Sequence, residues 1–170
     1  MKARITASAV ALAGIIVLSC AGVPAKRVDS VVRGAVAVDL AAPLGEVAIS
    51  AGPEHTDVER VVRELFPLAA SHLPGHAGPA AAEKGNRAVY SVWIRGEEYA
   101  RGFDTRTAVL CVLKLRSKTD GSVYATTIVA DETTSSLESS AYLYTLLREA
   151  LRALSGSVAA SEKAMKAAGK

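Results

Sequence analysis

AVYSVWIRGEEYARGFDTRTAVLCVLKLRSKTDGSVYATTIVADETTSSLESSAYLYTLLREALRALS, residues 88–155, decides the architecture. Residues 89–94 alternate, with Tyr90, Val92 and Ile94 on one side and Val89, Ser91 and Trp93 on the other, as a strand requires. The charged connection 96–102 is long for a tight hairpin and reads as a loop. A second strand is predicted over 105–118, and Asp120-Gly121 is a strong turn signal before a return strand at 123–130.

A two-residue turn at Asp120-Gly121 sets Arg116 opposite Ala125 and Leu115 opposite Thr126. In that register Thr107, Val109, Cys111, Leu113 and Leu115 share a side with Tyr124, Thr126 and Ile128, the side expected to meet helices. The other side carries Lys114, Arg116 and Lys118 near the turn, and Leu110, Val112 and Val129 further along. It therefore has a basic end and an apolar end.

Ser135 with Glu138 forms a capping box, followed by Leu137, Ala141, Tyr144, Leu147, Leu151 and Leu154 at helical spacing. Leu143 and Leu146 widen that stripe, and Gly156 is expected to end the helix. Residues 156–170, rich in Ala, Lys and Ser, are expected to form a flexible tail.

Upstream, Val36, Val38 and Leu40 alternate within 35–40 and predict a first strand, with 47–49 as its bent continuation. Thr56 and Glu59 make another capping box, and Val58, Val61, Val62, Leu65 and Leu68 follow at helical spacing. Pro67 is expected to kink or stop that helix near Leu65. Residues 73–87 are rich in Pro, Gly and Ala and predict a surface loop.

The chain begins with Lys2 and Arg4, an apolar run over 5–18, and then Ser19-Cys20-Ala21-Gly22. About 14 apolar residues fall short of the ~20 needed for a spanning helix, whereas the whole pattern suits a secretory signal. The site Val17-Leu18-Ser19-Cys20 resembles a bacterial lipoprotein lipobox. The resemblance implies cleavage before Cys20, then acylation, palmitate included, of its thiol and new amino group. The absence of aspartate after Cys20 implies, by the sorting rule of such lipoproteins, an outer-membrane destination, the protein facing the periplasm. The expected organisation is a signal peptide at 1–19, a tether at 20–34, one domain at 35–155 and the tail at 156–170.

Composition bounds the chemistry. A net charge of +3 at 170 residues, two of the positive charges lying in the signal segment, argues against a nucleic-acid partner held by bulk charge. With Cys20 acylated, Cys111 has no internal partner, so neither a disulfide framework nor a cysteine metal site is expected. His72 and His76 have helical ligand spacing, but Pro74 and Gly75 between them break the helix that would align them.

Neither a glycine-rich phosphate loop nor a serine elbow occurs, and no cofactor is expected. Glu97-Glu98 and Asp131-Glu132 point opposite ways in extended chain and do not form a catalytic pair. No catalytic residue is assigned. The candidate site is instead basic: Lys114, Arg116 and Lys118 on one strand, with Arg95, Arg101 and Arg106 around the preceding connection. They suit an anionic envelope partner, such as a phosphorylated glycolipid, an acidic polymer or an acidic patch on an outer-membrane protein.

The order strand, helix, three strands, helix behind a lipobox resembles small envelope-assembly lipoproteins. The nearest layout is that of the lipopolysaccharide-assembly LptE family, with penicillin-binding-protein activator and CsgG-type lipoproteins related to it. The resemblance implies an α+β two-layer sandwich, two helices on one face of a mainly antiparallel four-stranded sheet. It also implies a non-catalytic scaffold role in outer-membrane assembly. A periplasmic lipid or glycolipid carrier, using the apolar end of the outer face, is the alternative.

Overall fold

A computed structural model describes residues 26–33, 40–52, 55–73 and 87–168. The described elements are β1 (Arg27–Val32), β2 (Leu44–Ser50), α1 (Val58–Ala70), β3 (Ala88–Arg101), β4 (Asp104–Ser117), β5 (Val123–Thr133) and α2 (Ser140–Ala168). They build an α+β sandwich with both helices on one face of the sheet. That sheet has five strands, not four, in the order β1-β5-β4-β3-β2. Its first four members are antiparallel neighbours, but β2 runs parallel to β3, to which it connects through α1.

The additional strand is β1, which lies inside the stretch expected to be a tether. Its sequence RVDSVV hides the alternation because it is an edge strand with both faces partly exposed. Pairing with β5, from Arg27↔Ala130 to Val32↔Ala125, makes it a strand, and Ser30 Oγ lies 2.7 Å from Thr127 Oγ1 across that pair. The strand expected at 35–40 falls outside the described residues except for Leu40, which lies in a bend. The signal segment and Cys20 lie outside them entirely.

The longest correction concerns 96–102. These residues are the second half of β3, paired with β4 without interruption to Arg101↔Asp104. Gly102 and Phe103 alone make the turn, and Gly102 sits at φ 65°, which glycine adopts without a Cβ clash. The far turn is longer than Asp120-Gly121 by itself. Ser117 N–H donates to the Ser122 carbonyl and Gly121 N–H to the Ser117 carbonyl. Asp120 accepts from both the amide and the hydroxyl of Ser122.

Together with an irregularity between Leu115 and Arg116, this turn moves the register by one residue: Leu115 faces Ala125 and Arg116 faces Val123. A slip of one exchanges the faces of a strand. Ala125, Thr127 and Val129 therefore join Cys111, Leu113 and Leu115 in the core. Tyr124, Thr126 and Ile128 stand on the outer face, where Ile128 takes the place expected for Val129.

The core lies between the sheet and the helices. Tyr90 is 0% exposed; its hydroxyl donates to the Leu40 carbonyl at 3.0 Å and its ring packs on Phe66, centroids 5.3 Å apart. α1 docks through Val58, Val61, Val62, Phe66, Ala69 and Ala70, so Phe66 belongs to the buried face and Leu68 faces solvent. Asp57 occupies the N-cap position, its carboxylate accepting from Arg60 rather than capping the helix, so the expected Thr56–Glu59 box does not form. Pro67 does not stop the helix: it sits on the exposed side, Ser71 N–H reaches its carbonyl, and Ala69 and Ala70 remain buried beyond it.

α2 buries Leu143, Leu146, Leu147, Leu151 and Leu154, each contributing ~1.5–3 kcal/mol when removed from water. Its cap is Ser139, whose Oγ accepts from Tyr142 N–H, rather than Ser135. Leu137 is buried before the helix begins, with its Cδ2 2.7 Å from where a Cβ on Gly96 would stand. Gly156 does not end the helix. The cost of an interior glycine, ~1 kcal/mol, is offset by the docking of Val158 and by the Ala, Lys and Glu that follow. The expected flexible tail is thus helical to Ala168.

Candidate functional site on the open face of the sheet

Because both helices pack on one face, the described residues leave the other face of the sheet without a covering layer. Ala48, Trp93, Val112 and Ile128 form a row across its middle, each the register partner of the next. Leu110 and Ala130 lie in the adjacent row, flanked by Arg95. These apolar side chains are half-buried by one another, a degree of enclosure that a covering surface would complete.

The cations of the candidate site are spread over this face rather than gathered. Arg95 pairs with Glu97 at 3.1 Å. Arg101 on β3 and Arg106 on β4, opposite Tyr99, converge on Glu132, which lies level with Glu97, at 3.8 and 2.7 Å. Arg116 reaches Glu46 on β2 at 3.2 Å. Lys118 has left the strand and lies exposed in the turn, its N–H donating to the Arg87 carbonyl. Lys114 and Lys118 make no ion pair among the described residues.

Glu132 is the most enclosed of these carboxylates. Burial works against its charge, but the hydrogen-bonded Arg106 guanidinium outweighs it and holds the carboxyl below its ordinary range. Beside it the Tyr99 hydroxyl is enclosed without a hydrogen bond, and burial pushes its pKa up. In this cluster Arg106 donates to Glu132 through Nη1, while its Nε, like the Tyr99 hydroxyl, is buried without a hydrogen-bond partner.

Elsewhere the chemistry is structural. Cys111 is fully buried, and burial pushes its thiol up to about 12, so it is neither a nucleophile nor a ligand at neutral pH. No group of three or more potential metal ligands occurs among the described residues. A shallow hollow lined by Thr56, Glu59, Arg60, Arg63 and Glu64 is the charged outer surface of α1.

At the entry to β1, Lys26 bridges Asp131 (3.4 Å) and Glu149 on α2, and Tyr142 donates to Asp131. Burial opposes the charge of Lys26, but its hydrogen bond to Glu149 and the field of Asp131 outweigh it and raise its pKa. No described helix is long and apolar enough to cross a membrane.

Neither the family models nor the curated proteins contain a match to this chain. Among solved structures, the PelC dodecamer from Paraburkholderia phytofirmans matches with a TM-score of 0.52 at 19% identity, over 76% of this chain and 97% of that one. A point variant of the same PelC, also a dodecamer, matches with a TM-score of 0.54 at 18% identity, over 76% of this chain and 98% of its own. At that identity the likeness concerns architecture: this chain shares the fold of PelC over nearly the whole of the PelC chain.

Proposed function

We propose that this chain is a lipid-anchored envelope protein, acylated at Cys20, that serves as a non-catalytic repeating subunit of an assembly at the outer membrane. The observation that carries the reading is the uncovered sheet face with its half-buried row of Trp93, Val112 and Ile128. Such a face is a place for another protein surface to close over. The fold it shares with PelC, a dodecamer, supports a second copy of the chain as the first partner to seek. The lipobox at 17–20 supports the anchor, and the element order supports an LptE-like scaffold role within it. Lys114 and Lys118 are the cations left for an anionic glycolipid or an outer-membrane protein.

The test is the mass of the acylated protein in mild detergent by light scattering, for the native chain and for Trp93→Glu. The native chain should form a particle of fixed copy number. Trp93→Glu should lower its mass at least several-fold while leaving the circular dichroism spectrum unchanged. A native chain that is monomeric at every concentration and carries extractable lipid would overturn this reading in favour of the carrier.

A further inference from the structure

The register fixes which end of the domain the anchor must leave from. Arg27 pairs with Ala130, Ala130 with Leu110, and Leu110 with Arg95, so these four residues lie at one level across the sheet. Followed back toward Arg27, β1 points toward Thr133 on β5, toward Asp104 on β4 and toward Arg101 on β3. The ion pair of Lys26 with Asp131, the next residue of β5, sits at this end. β5 stops opposite Thr107, whereas β3 and β4 continue as a two-stranded ribbon to the turn at Gly102 and Phe103.

Two lengths then coincide. Phe103 is seven residues past Leu110, so the tip stands ~24 Å beyond the level of Arg27. Cys20 is seven residues before Arg27, and seven residues reach at most ~23–25 Å when fully stretched. Even a fully stretched tether from a lipid at Cys20 therefore leaves the tip of an upright domain at the level of the bilayer surface, and any shorter path presses it in.

The residue at that tip is Phe103, 110% exposed, the most exposed large apolar side chain described. We infer that the β3–β4 tip is a membrane contact in which Phe103 enters the bilayer interface beside the acyl chains and holds the domain upright. The inference rests on the acylated anchor proposed above. The ligand is the apolar boundary of the bilayer rather than its headgroup charge. Residues 97–106 carry three acids, Glu97, Glu98 and Asp104, against two bases, Arg101 and Arg106, so no net attraction to anionic lipid is built in. An aromatic ring suits the interface of a zwitterionic membrane as well as that of an anionic one.

Trp93 is the single tryptophan, which makes the test direct. In the full acylated chain, Trp93→Phe combined with Phe103→Trp places the only indole at the tip. The protein is reconstituted in phosphatidylcholine vesicles with brominated acyl chains. The tip indole should lose at least half its emission and shift to the blue. The native chain, whose indole is ten residues from the tip, should be unchanged. Vesicle flotation is read in the same samples. Protein that floats while its tip indole stays unquenched and water-like would overturn the inference and leave the anchor standing. Protein that does not float would overturn the anchor. Coupling Cys20 to a maleimide lipid then restores the same tether, and quenching or its absence decides the tip alone.

Discussion

Phe66→Ala tests the arrangement on which the core depends, because the docking of α1 turns on which of two neighbouring apolar residues faces the sheet. Phe66 is 2% exposed and packs on Tyr90 at 5.3 Å, whereas Leu68, two positions on, is 58% exposed. Two positions are ~200° of helix rotation, so both residues cannot dock. Removing a buried phenyl ring costs ~3–5 kcal/mol, because transfer energy is lost and a cavity is left. About 0.5–1.5 kcal/mol of that belongs to the ring pair with Tyr90.

Phe66→Leu, which keeps most of the volume, should therefore cost only ~1–1.5 kcal/mol. Leu68→Ala should stay within ~0.5 kcal/mol of the parent. Urea unfolding followed by circular dichroism reads all three. With a slope of ~1–3 kcal/mol/M, Phe66→Ala should move the midpoint by at least ~1 M. If Leu68→Ala costs more than Phe66→Ala, α1 docks through its other side, and the placement of the helix over β3 is wrong.

Three further outcomes follow from particular residues. Because burial holds the Cys111 thiol protonated to about 12 in the fold, against 9.0 for an ordinary thiol, the folded state binds the extra proton as pH rises between them. This contribution to stability is complete below pH ~9 and falls by ~1.4 kcal/mol per unit up to ~12, read as the difference in slope from Cys111→Ala in urea melts. Gly96→Ala should cost ~1–3 kcal/mol in the same assay, since the new methyl would lie 2.7 Å from the enclosed Leu137; a neutral substitution would mean that Leu137 can move aside. Lys26→Ala should cost ~1 kcal/mol at low ionic strength and less at ~1 M salt, which screens the bridge to Asp131 and Glu149; an equal loss in both would assign the effect to packing.

The sequence was legible wherever one face of an element is buried. β3, β4, β5 and α2 announce themselves by alternation or by a leucine stripe because the core enforces those patterns. It was not legible where pairing alone makes the structure. RVDSVV is a strand only because β5 lies beside it, and GEEYAR continues β3 as half of a ribbon that needs no buried face. The off-by-one register came from treating Asp120-Gly121 as the whole turn, when Ser117 and Ser122 close a longer one.

At the candidate site the six cations could be listed from the sequence. The pairing of Arg116 and Arg106 could not, since Glu46 is 70 residues from Arg116 and Glu132 is 26 from Arg106. Trp93 was readable as an outer-face residue. Its row with Val112 and Ile128 was not, because it exists only in the observed register.

The position of β1 also dictates an order of events. It is the earliest strand described, yet its pairing partner is the last: Ser30 meets Thr127, 97 residues away in the chain. β4 and β3 can zip as neighbours while synthesis continues, but β1 has no docking surface until β5 is complete. The Lys26 bridge, whose partners are Asp131 and Glu149, closes later still. β1 is therefore the last of the described strands to join the sheet, although it is the first in the chain. The edge of the sheet beside β5 is therefore the last to be covered, and it stays open for as long as folding of the rest of the chain takes.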